Sequence, residues 1–314
     1  MKIFDCLIIG LGKVGLTYDL NKKSFLTHVK SVEFHQNFRL KGVIDSDVKK
    51  RKLFKNYYDY PTYCSIEEAS INKYSLVIVA VPTDSHLKVI TKVLKNIKPK
   101  VILCEKPLSY NSSDAKAIVN LCKKYNVELF VNYIRRSDPS VKKIKMHLDT
   151  LKKSTVKGVC WYNKGLLHSC THFLDLCDYW LGSLKKIKLI SKKKKLGKND
   201  YCLDFSAEFK NGEVTFFNSD KYFSHYSIEL FSNLGRIRYD YEGNLVYLNK
   251  KKEFFEDIQE IEKKKIIIKN EMKVSQLNVL NEIYNFLEKR SYFLCSGKDS
   301  LKNNLKIFKF LEII

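Results

Sequence analysis

Residues 3–15 read IFDCLIIGLGKVG, an apolar run followed without interruption by a GxGxxG motif. The run 3–9 is typical of a strand in a parallel sheet, because helices cover both faces of such a strand. In the motif, Gly10 permits a tight turn, Gly12 lets the backbone approach a pyrophosphate, and Gly15 lets the next helix pack closely. Backbone N–H groups at such a turn bind phosphate. The stretch therefore predicts a strand–turn–helix unit that binds a dinucleotide.

The ribose-binding part of that site is expected at the end of the next strand. Such sites have an acidic residue about 20 residues beyond the glycines, and here Asp45 ends the strand pattern 38–45, 30 residues after Gly15. We interpret the surplus, residues 16–27, as a loop inserted at the mouth of the cofactor site. A carboxylate accepts hydrogen bonds from the ribose and repels a 2′-phosphate, so Asp45 favours NAD over NADP, although the basic residues 49–51 leave NADP open. The alternative is that Asp45 caps the following helix.

Strand and helix patterns alternate over residues 1–134. The expected strands are 3–9, 38–45, 75–82, 100–104 and 128–133. The expected helices are 28–36, 47–56, 84–96 and 112–125. Alternation with short connections predicts an α/β fold whose first domain is a doubly wound parallel sheet.

Residues 135–314 follow a different pattern, which predicts a second domain built on a mostly antiparallel sheet. Its expected strands are 156–162, 186–191, 201–209, 213–218, 226–232, 235–240 and 244–248. The dipeptide Asn211-Gly212 predicts a hairpin between two of them. One face of such a sheet has to be covered, and helices expected at 168–181, 275–290 and 299–312 could cover it. Because no long linker is visible, we expect the two domains to abut and to leave a cleft.

Several residues of interest follow the third and fourth strands, at the edge where a doubly wound sheet binds its ligand. Pro82 and Thr83 are expected beside the nicotinamide, and His86 is expected to start a helix, mainly as a structural residue. Lys106 follows the fourth strand and, if buried, can hydrogen-bond or deprotonate a substrate hydroxyl. The alternative is an exposed lysine in a turn. The predicted cofactor-binding residues are Gly10, Gly12, Lys13, Val14, Gly15, Asp45, Val81, Pro82, Thr83, His86, Glu105 and Lys106.

The order of these motifs resembles the Gfo/Idh/MocA oxidoreductases, relatives of glucose–fructose oxidoreductase and inositol dehydrogenase. The order is strand–GxGxxG, then VAVPTDSH at 79–86, then CEKPLS at 104–109, then a helix with His-x-x-Asp at 172–175. The resemblance implies a Rossmann domain, a C-terminal domain whose open sheet often mediates oligomerisation, and NAD(P)-dependent chemistry on CH–OH groups. It also implies a cis peptide bond before Pro107.

The resemblance extends to residues in the C-terminal half. His172 matches the family's catalytic histidine, and Asp175 matches a downstream acidic residue. The family commonly has Asp four residues before the histidine and Gly two before it, where this chain has His168 and Cys170. We expect His168 to act as a polar contact to substrate or as a partner of the lysine. At helical spacing these residues and Tyr179 would share one helix face.

The segment NYIRR at 132–136 resembles the aromatic-x-x-Arg segment that joins the family's domains. Tyr133 and Arg136 would then lie at the cleft, where Arg136 could hold an anionic group; the alternative is an interdomain salt bridge. Two histidines one turn apart without a third ligand predict no metal site. The predicted catalytic residues are Lys106, His172 and His168. The predicted substrate-binding residues are Tyr133, Arg136, His168, His172 and Asp175.

The composition excludes several classes of protein. The chain has 314 residues and a net charge of +23, but only seven of its 57 basic residues are Arg. Nucleic-acid readers favour Arg, so we predict no nucleic-acid partner. No apolar run reaches the roughly 20 residues that cross a bilayer, and the N-terminus lacks a signal-peptide pattern. Nine cysteines without a CxxC motif fit a reducing compartment. We therefore predict a soluble cytoplasmic protein without a membrane partner.

Three functions fit these patterns. The leading hypothesis is NAD-dependent hydride transfer to or from a nucleotide sugar in surface-carbohydrate biosynthesis, since a basic surface attracts an anionic substrate. The second hypothesis is a free polyol or monosaccharide dehydrogenase. The third is a non-catalytic NAD-binding regulator, because a fold does not fix a function. The resemblance favours a homodimer or homotetramer.

Overall fold

The computed structural model describes residues 2–151, 155–196, 200–219, 225–240, 245–255 and 258–313. The strands are β1 (Phe4–Ile9), β2 (Phe38–Ile44), β3 (Thr62–Tyr63), β4 (Leu76–Val79), β5 (Val101–Cys104), β6 (Glu128–Val131), β7 (Val156–Tyr162), β8 (Leu184–Leu196), β9 (Asp200–Phe209), β10 (Gly212–Asn218), β11 (Ser227–Ser232), β12 (Gly235–Asp240), β13 (Leu245–Phe255), β14 (Ile258–Ile261), β15 (Ile266–Lys269) and β16 (Cys295–Ser296).

The helices are α1 (His28–Phe34), α2 (Val48–Lys55), α3 (Ile66–Ala69), α4 (His86–Asn96), α5 (Ser112–Lys124), α6 (Pro139–Leu148), α7 (Thr171–Leu181), α8 (Ser275–Leu287) and α9 (Gly297–Leu311). Two π-helical turns cover Lys13–Thr17 and Leu166–Cys170. Three 3₁₀ turns cover Thr83–Ser85, Ile134–Ser137 and Met272–Val274.

The first sheet has the strand order β3-β2-β1-β4-β5-β6-β16. Neighbours are parallel except at β16, which pairs antiparallel with β6. The order reverses between β1 and β4, which is the doubly wound arrangement. Every residue of β4 and β5 is buried, as expected for strands covered on both faces. The predicted parallel α/β domain is therefore confirmed.

Most predicted elements of this sheet match the observed bounds within two residues. The prediction for the third strand, 75–82, is wrong at its end, because β4 stops at Val79 and a loop follows. The short β3 and α3 were not predicted, since their two and four residues form neither an apolar run nor a complete helical period. The strand β16 was missed for the same reason.

The chain divides into two compact units, and the division differs from the predicted boundary at residue 134. The first unit comprises Met1–Ser137 and Lys273–Leu305, and the second comprises Asp138–Met272 and Lys306–Ile314. Residues 273–305 return to the first unit because α8 buries apolar side chains in its core and β16 extends its sheet. The expectation that the helix at 275–290 covers the antiparallel sheet is therefore wrong.

The second unit contains a sheet with the order β14-β13-β12-β11-β7-β10-β9-β8, and β15 also pairs with β13. Its neighbours are antiparallel except for β7 and β10, so the prediction of a mostly antiparallel sheet is confirmed. The hairpin at Asn211-Gly212 joins β9 to β10 as predicted. Of the predicted strand 244–248, residue 244 lies outside the described residues. The helix α6 and the strands β14 and β15 were not predicted.

One face of this second sheet is apolar and covered. Phe205 and Phe216 stack at 4.8 Å between ring centroids, and Phe310 of α9 lies 6.0 Å from Phe205. From α7, Trp180 is buried and donates a hydrogen bond to the Val141 carbonyl of α6 at 3.0 Å. The end of α9 and the helix α7 thus cover the sheet, as two of the three predicted helices were expected to do.

Two further findings bear on the class of protein. Among the described helices, none combines the length and apolar character that a membrane span requires. Eight of the nine cysteines are buried and Cys64 is exposed, and all nine are thiols. The eight buried cysteines therefore pack as small apolar residues.

Candidate active site

The glycine-rich turn has the geometry of a phosphate-binding turn. Gly10 has φ +104°, and a Cβ there would lie 2.4 Å from the Ala80 carbonyl oxygen. A Cβ on Gly15 would lie 2.0 Å from the Gly10 carbonyl oxygen. A Cβ on Gly12, by contrast, would meet nothing within 4 Å. Two glycines are therefore required by the protein itself, whereas Gly12 faces open space.

The segment after this turn is a folded loop rather than a continuous helix. Lys13 is exposed and Val14 half-buried on a π-helical turn that ends at Thr17, and α1 begins only at His28. Between them the carboxylate of Asp19, which is 1% exposed, accepts hydrogen bonds from the Leu26 and Thr27 N–H groups and from the Thr27 hydroxyl. The insertion predicted at 16–27 is thus held in one conformation by a buried carboxylate.

Asp45 lies at the end of β2 and connects it to the glycine-rich turn. Its Oδ2 accepts the Leu11 N–H at 2.8 Å, and its Oδ1 accepts the Asp47 N–H at 2.9 Å. The residue that caps α2 is Asp47, through the Lys49 N–H, so the alternative interpretation of Asp45 as that cap is wrong. Asp45 stays at the position where a ribose-binding carboxylate is expected.

Arg51 and Lys50, near Asp45, make contacts within the protein. The Arg51 guanidinium donates to the carbonyl oxygens of Asp45 at 2.6 Å and Ser46 at 3.1 Å. Lys50 Nζ lies 3.5 Å from Asp45 Oδ2. These contacts favour NAD, because Arg51 Nη1 donates to backbone carbonyls and Lys50 lies beside the Asp45 carboxylate.

The loop after β4 is anchored by His86. Val81 and Thr83 are half-buried and Pro82 is exposed, so all three are accessible at the carboxyl end of the sheet. His86 begins α4 as predicted and is 1% exposed; its Nε2 and Nδ1 lie 3.1 Å from the carbonyl oxygens of Val81 and Leu108. Burial lowers the pKa of this imidazole. His86 therefore holds two loops together, which favours the structural role over direct cofactor contact.

A buried hydrogen-bond network surrounds Glu105 at the end of β5. His28 Nε2 lies 2.8 Å from Glu105 Oε1, and the Asn132 amide donates to the same oxygen at 2.6 Å and to Gln276 at 3.1 Å. Burial alone would raise the pKa of Glu105, but these hydrogen bonds and the charge of Lys106 outweigh it and lower the pKa. Glu105 is therefore a half-buried carboxylate directly before Lys106 in the chain.

Lys106 follows this network directly. It is half-buried, and the peptide bond from Lys106 to Pro107 is cis, which confirms the expectation drawn from the family resemblance. The first unit thus brings the glycine-rich turn, Asp45, the loop 81–83 and Lys106 to the carboxyl ends of neighbouring parallel strands. A dinucleotide binds at this edge of such a sheet.

Tyr133 and Arg136 lie beyond the end of β6. They are both 6% exposed, and the Arg136 N–H donates to the Tyr133 carbonyl at 3.1 Å within a 3₁₀ turn. His28 and Asn132 were missed by sequence reasoning, since no pattern pairs Glu105 with residues 77 and 27 positions away. The one feature of the local sequence that marked these two residues was their position near an end of a predicted helix or strand.

The histidine motif of the second unit is arranged differently from the prediction. The expected helix 168–181 begins at Thr171, and a π-helical turn with the exposed His168 precedes it. His172 is half-buried, Asp175 is 4% exposed, and these two share a face of α7 at helical spacing. His168 lies before α7, on the π-helical turn Leu166–Cys170, so its place on that face stays a prediction.

Comparison with known proteins identifies the first unit. Residues 4–133 match the family model GFO_IDH_MocA, described as an oxidoreductase family with an NAD-binding Rossmann fold. The N-terminal domain resembles the Gfo/Idh/MocA oxidoreductases over these residues. Its glycine-rich turn and Asp45 fit NAD as the cofactor of that family.

Individual proteins of known sequence and structure are also similar to this chain. The myo-inositol 2-dehydrogenase of Thermotoga maritima is 28% identical over 142 residues, which are 44% of this chain and 38% of that enzyme. The chain thus spans less than half the length of the curated relatives that it matches.

Two structures solved with nicotinamide cofactors have the same fold. An Agrobacterium radiobacter oxidoreductase with NAD+, L-tartaric acid and magnesium has a TM-score of 0.74 at 17% identity, covering 95% of this chain and 92% of that one. The WlbA dehydrogenase of Bordetella pertussis with NADH and UDP-GlcNAcA has a TM-score of 0.74 at 14% identity, covering 96% and 93%. At these identities the likeness shows the fold.

Proposed function

We propose that this protein is an NAD-dependent dehydrogenase or reductase that acts on a hydroxyl-bearing carbon of a sugar-like substrate. The observation that carries the proposal is Lys106, half-buried and next to the hydrogen-bonded carboxylate of Glu105 at the edge with the glycine-rich turn. That carboxylate favours a charged lysine, which suits the stabilisation of a developing oxyanion. When bound, NAD supplies or accepts the hydride.

The residues of this chain have separate roles in that reaction. Lys106 orients the substrate hydroxyl and stabilises negative charge on its oxygen. His172 accepts or returns the hydroxyl proton, because the pKa of an imidazole lies near working pH. Asp175 orients His172. His168, Tyr133 and Arg136 contact the rest of the substrate.

For the substrate we favour a nucleotide sugar used in surface-carbohydrate biosynthesis. The WlbA structure carries UDP-GlcNAcA on a similar fold, and a net charge of +23 attracts an anionic substrate. The second candidate is a free polyol, which the likeness of the N-terminal domain to a myo-inositol 2-dehydrogenase favours.

A thermal-unfolding screen with NADH bound distinguishes the two candidates. One ligand set contains nucleotide sugars, and the other contains free sugars and polyols. A ligand at 100 times its dissociation constant adds about 2.7 kcal/mol of stability. We expect the unfolding temperature to rise with a nucleotide sugar, whereas a rise only with free polyols would contradict the assignment.

Turnover of the compound found by this screen tests the catalytic roles. We expect Lys106→Ala and His172→Ala to lower kcat by about 10²–10⁴-fold, the usual contribution of a positioned acid or base. Lys88→Ala, at an exposed lysine of α4, is the matched control. Normal turnover in the Lys106 variant would exclude the role given to that lysine, whereas a wild-type protein that binds NADH and turns over none of the compounds would favour an NAD-binding regulator.

We propose further that the protein is a cytoplasmic homodimer or homotetramer. Val159, Trp161 and Phe231 are exposed on the uncovered face of the antiparallel sheet, at 38%, 43% and 45%. Large apolar side chains grouped on one face favour contact with another copy. Light scattering after size exclusion should give a multiple of 36.8 kDa, and Trp161→Lys should lower the mass.

A further inference from the structure

We propose that Asp200 is a positioning residue that fixes the chain entering α7 and thereby the orientation of the His172 imidazole. This inference rests on the proposed role of His172 in proton transfer. Asp200 is the first residue of β9, 28 residues after that histidine in the chain. No sequence pattern connected the two.

The carboxylate of Asp200 binds the first turn of the motif through its backbone. Oδ1 accepts the Leu167 N–H at 2.8 Å, and Oδ2 accepts the His168 N–H at 2.9 Å. Oδ1 also accepts the N–H of Tyr201 at 2.8 Å. A carboxylate on successive N–H groups is the strong, charge-assisted form of a helix cap.

The π-helical turn explains why an acceptor from another strand is needed. The N–H groups of Ser169 and Cys170 both donate to the Gly165 carbonyl, at 3.0 and 3.2 Å. The N–H groups at the beginning of a helix have no partner within it, so those of Leu167 and His168 require an external acceptor. Asp200 supplies both acceptors at once.

The surroundings of Gly165 show that the Asp200 carboxylate packs directly against this turn. Its φ of −91° and ψ of 168° suit any residue, so the backbone does not require glycine here. A Cβ at this position would nevertheless lie 2.0 Å from Asp200 Oδ2 and 2.2 Å from its Cγ. The glycine is therefore needed because the carboxylate occupies the space of a side chain.

A second contact holds the same turn from neighbouring strands. The Lys164 carbonyl accepts the Asn218 amide at 2.7 Å, and Cys202 Sγ lies 3.4 Å from it. The turn is thus tied to β9 and β10 on both sides of Gly165. Since α7 starts at Thr171, a displacement of this turn moves the helix start that carries His172, and proton transfer tolerates little displacement.

The first experiment follows the His172 imidazole by NMR in the full chain, without substrate. The resonance is assigned by its loss in His172→Gln, and its titration with pH is compared between wild type and Asp200→Asn. The amide that this substitution introduces would turn an N–H donor toward the turn in place of one acceptor. We expect the resonance to shift or broaden and its titration midpoint to move.

Asp178→Asn is the matched control, because Asp178 Oδ1 accepts the Leu184 N–H at 2.8 Å just beyond the other end of α7. It should lower the unfolding temperature and leave the His172 titration unchanged. If Asp200→Asn also leaves that titration unchanged, Asp200 is a structural cap only and the proposal is wrong.

A double-variant cycle tests the fitted contact directly. Gly165→Ala should lower the unfolding temperature strongly, because its methyl group meets the carboxylate. In the Asp200→Ala background the same change should cost much less, so the two shifts should not add. Additive shifts would overturn the contact. Neither experiment uses turnover, so failure of the proposed function would appear separately, as normal activity of the His172→Ala variant.

Discussion

The three glycines of the GxGxxG motif are required for different physical reasons. Gly10 has a positive φ and lies against the Ala80 carbonyl, and Gly15 lies against the Gly10 carbonyl. Gly12 has neither constraint. The tertiary structure therefore shows that the fold itself needs Gly10 and Gly15, whereas the expected need for Gly12 depends on the ligand.

This difference gives a matched pair of variants. Gly12→Ala should leave the unfolding temperature unchanged and weaken NADH binding about tenfold or more, since about 1.4 kcal/mol of lost contact suffices. Gly15→Ala should lower the unfolding temperature, because its methyl group would meet backbone. Fluorescence titration with NADH and thermal unfolding measure both. Unchanged NADH affinity in Gly12→Ala would show that the pyrophosphate does not approach this residue.

His86 makes stability depend on pH. Burial lowers its pKa below the 6.5 of an ordinary histidine, so the unfolded chain binds a proton that the folded chain does not. Its stabilising contribution is therefore present above about pH 6.5 and is lost as the pH falls from there toward the lowered pKa. Urea unfolding between pH 7.5 and 5 should show this loss. His86→Gln should flatten the curve, and an unaltered slope in that variant would contradict the assignment.

At the scale of elements, the network at Glu105 joins four segments of the first unit. His28 starts α1, Glu105 follows β5, Asn132 follows β6 and Gln276 lies in the first turn of α8. The Glu105 carboxylate is the shared partner of His28 and Asn132, and the Asn132 amide connects it to Gln276. The inserted loop before His28 delays α1 without removing it from this network.

We expect His28→Ala to destabilise the protein by about 1–3 kcal/mol, because it removes a partner from a buried acceptor. Lys92→Ala is the control, since its partner Glu67 is exposed and the ion pair at 2.9 Å is solvated. Urea unfolding measures both. Equal small losses in the two variants would show that the network around Glu105 adds little to stability.

At the scale of the whole molecule, the chain leaves the first unit after Ser137 and re-enters it at Lys273. The returning segment buries Val279, Leu280 and Ile283 in the core beneath β1 and β2. Without it, the first 137 residues would expose this apolar surface. The two crossing points are close, because Asp138 Oδ2 accepts the Glu271 N–H at 2.8 Å.

A fusion of residues 1–137 to 273–305 through a short Gly/Ser linker should therefore fold and bind NADH. Residues 1–137 alone should lack cooperative unfolding, because about 25 cal/mol of stabilisation per Å² of buried apolar surface is lost. Circular dichroism during heating and NADH titration compare the two chains. Equal folding and affinity of the shorter chain would contradict the discontinuous unit.

The parallel sheet, the glycine-rich turn and the Asn211-Gly212 hairpin could be predicted from the sequence, because they depend on local apolar runs and turn chemistry. Motif order also predicted the candidate residues Asp45, Lys106 and His172. The tertiary structure was needed to locate the start of α7, because Asp200 binds its preceding turn from another strand. It alone assigned residues 273–305 to the first unit, and it alone paired His28 with Glu105. Such contacts join residues far apart in the chain, and no periodicity encodes them.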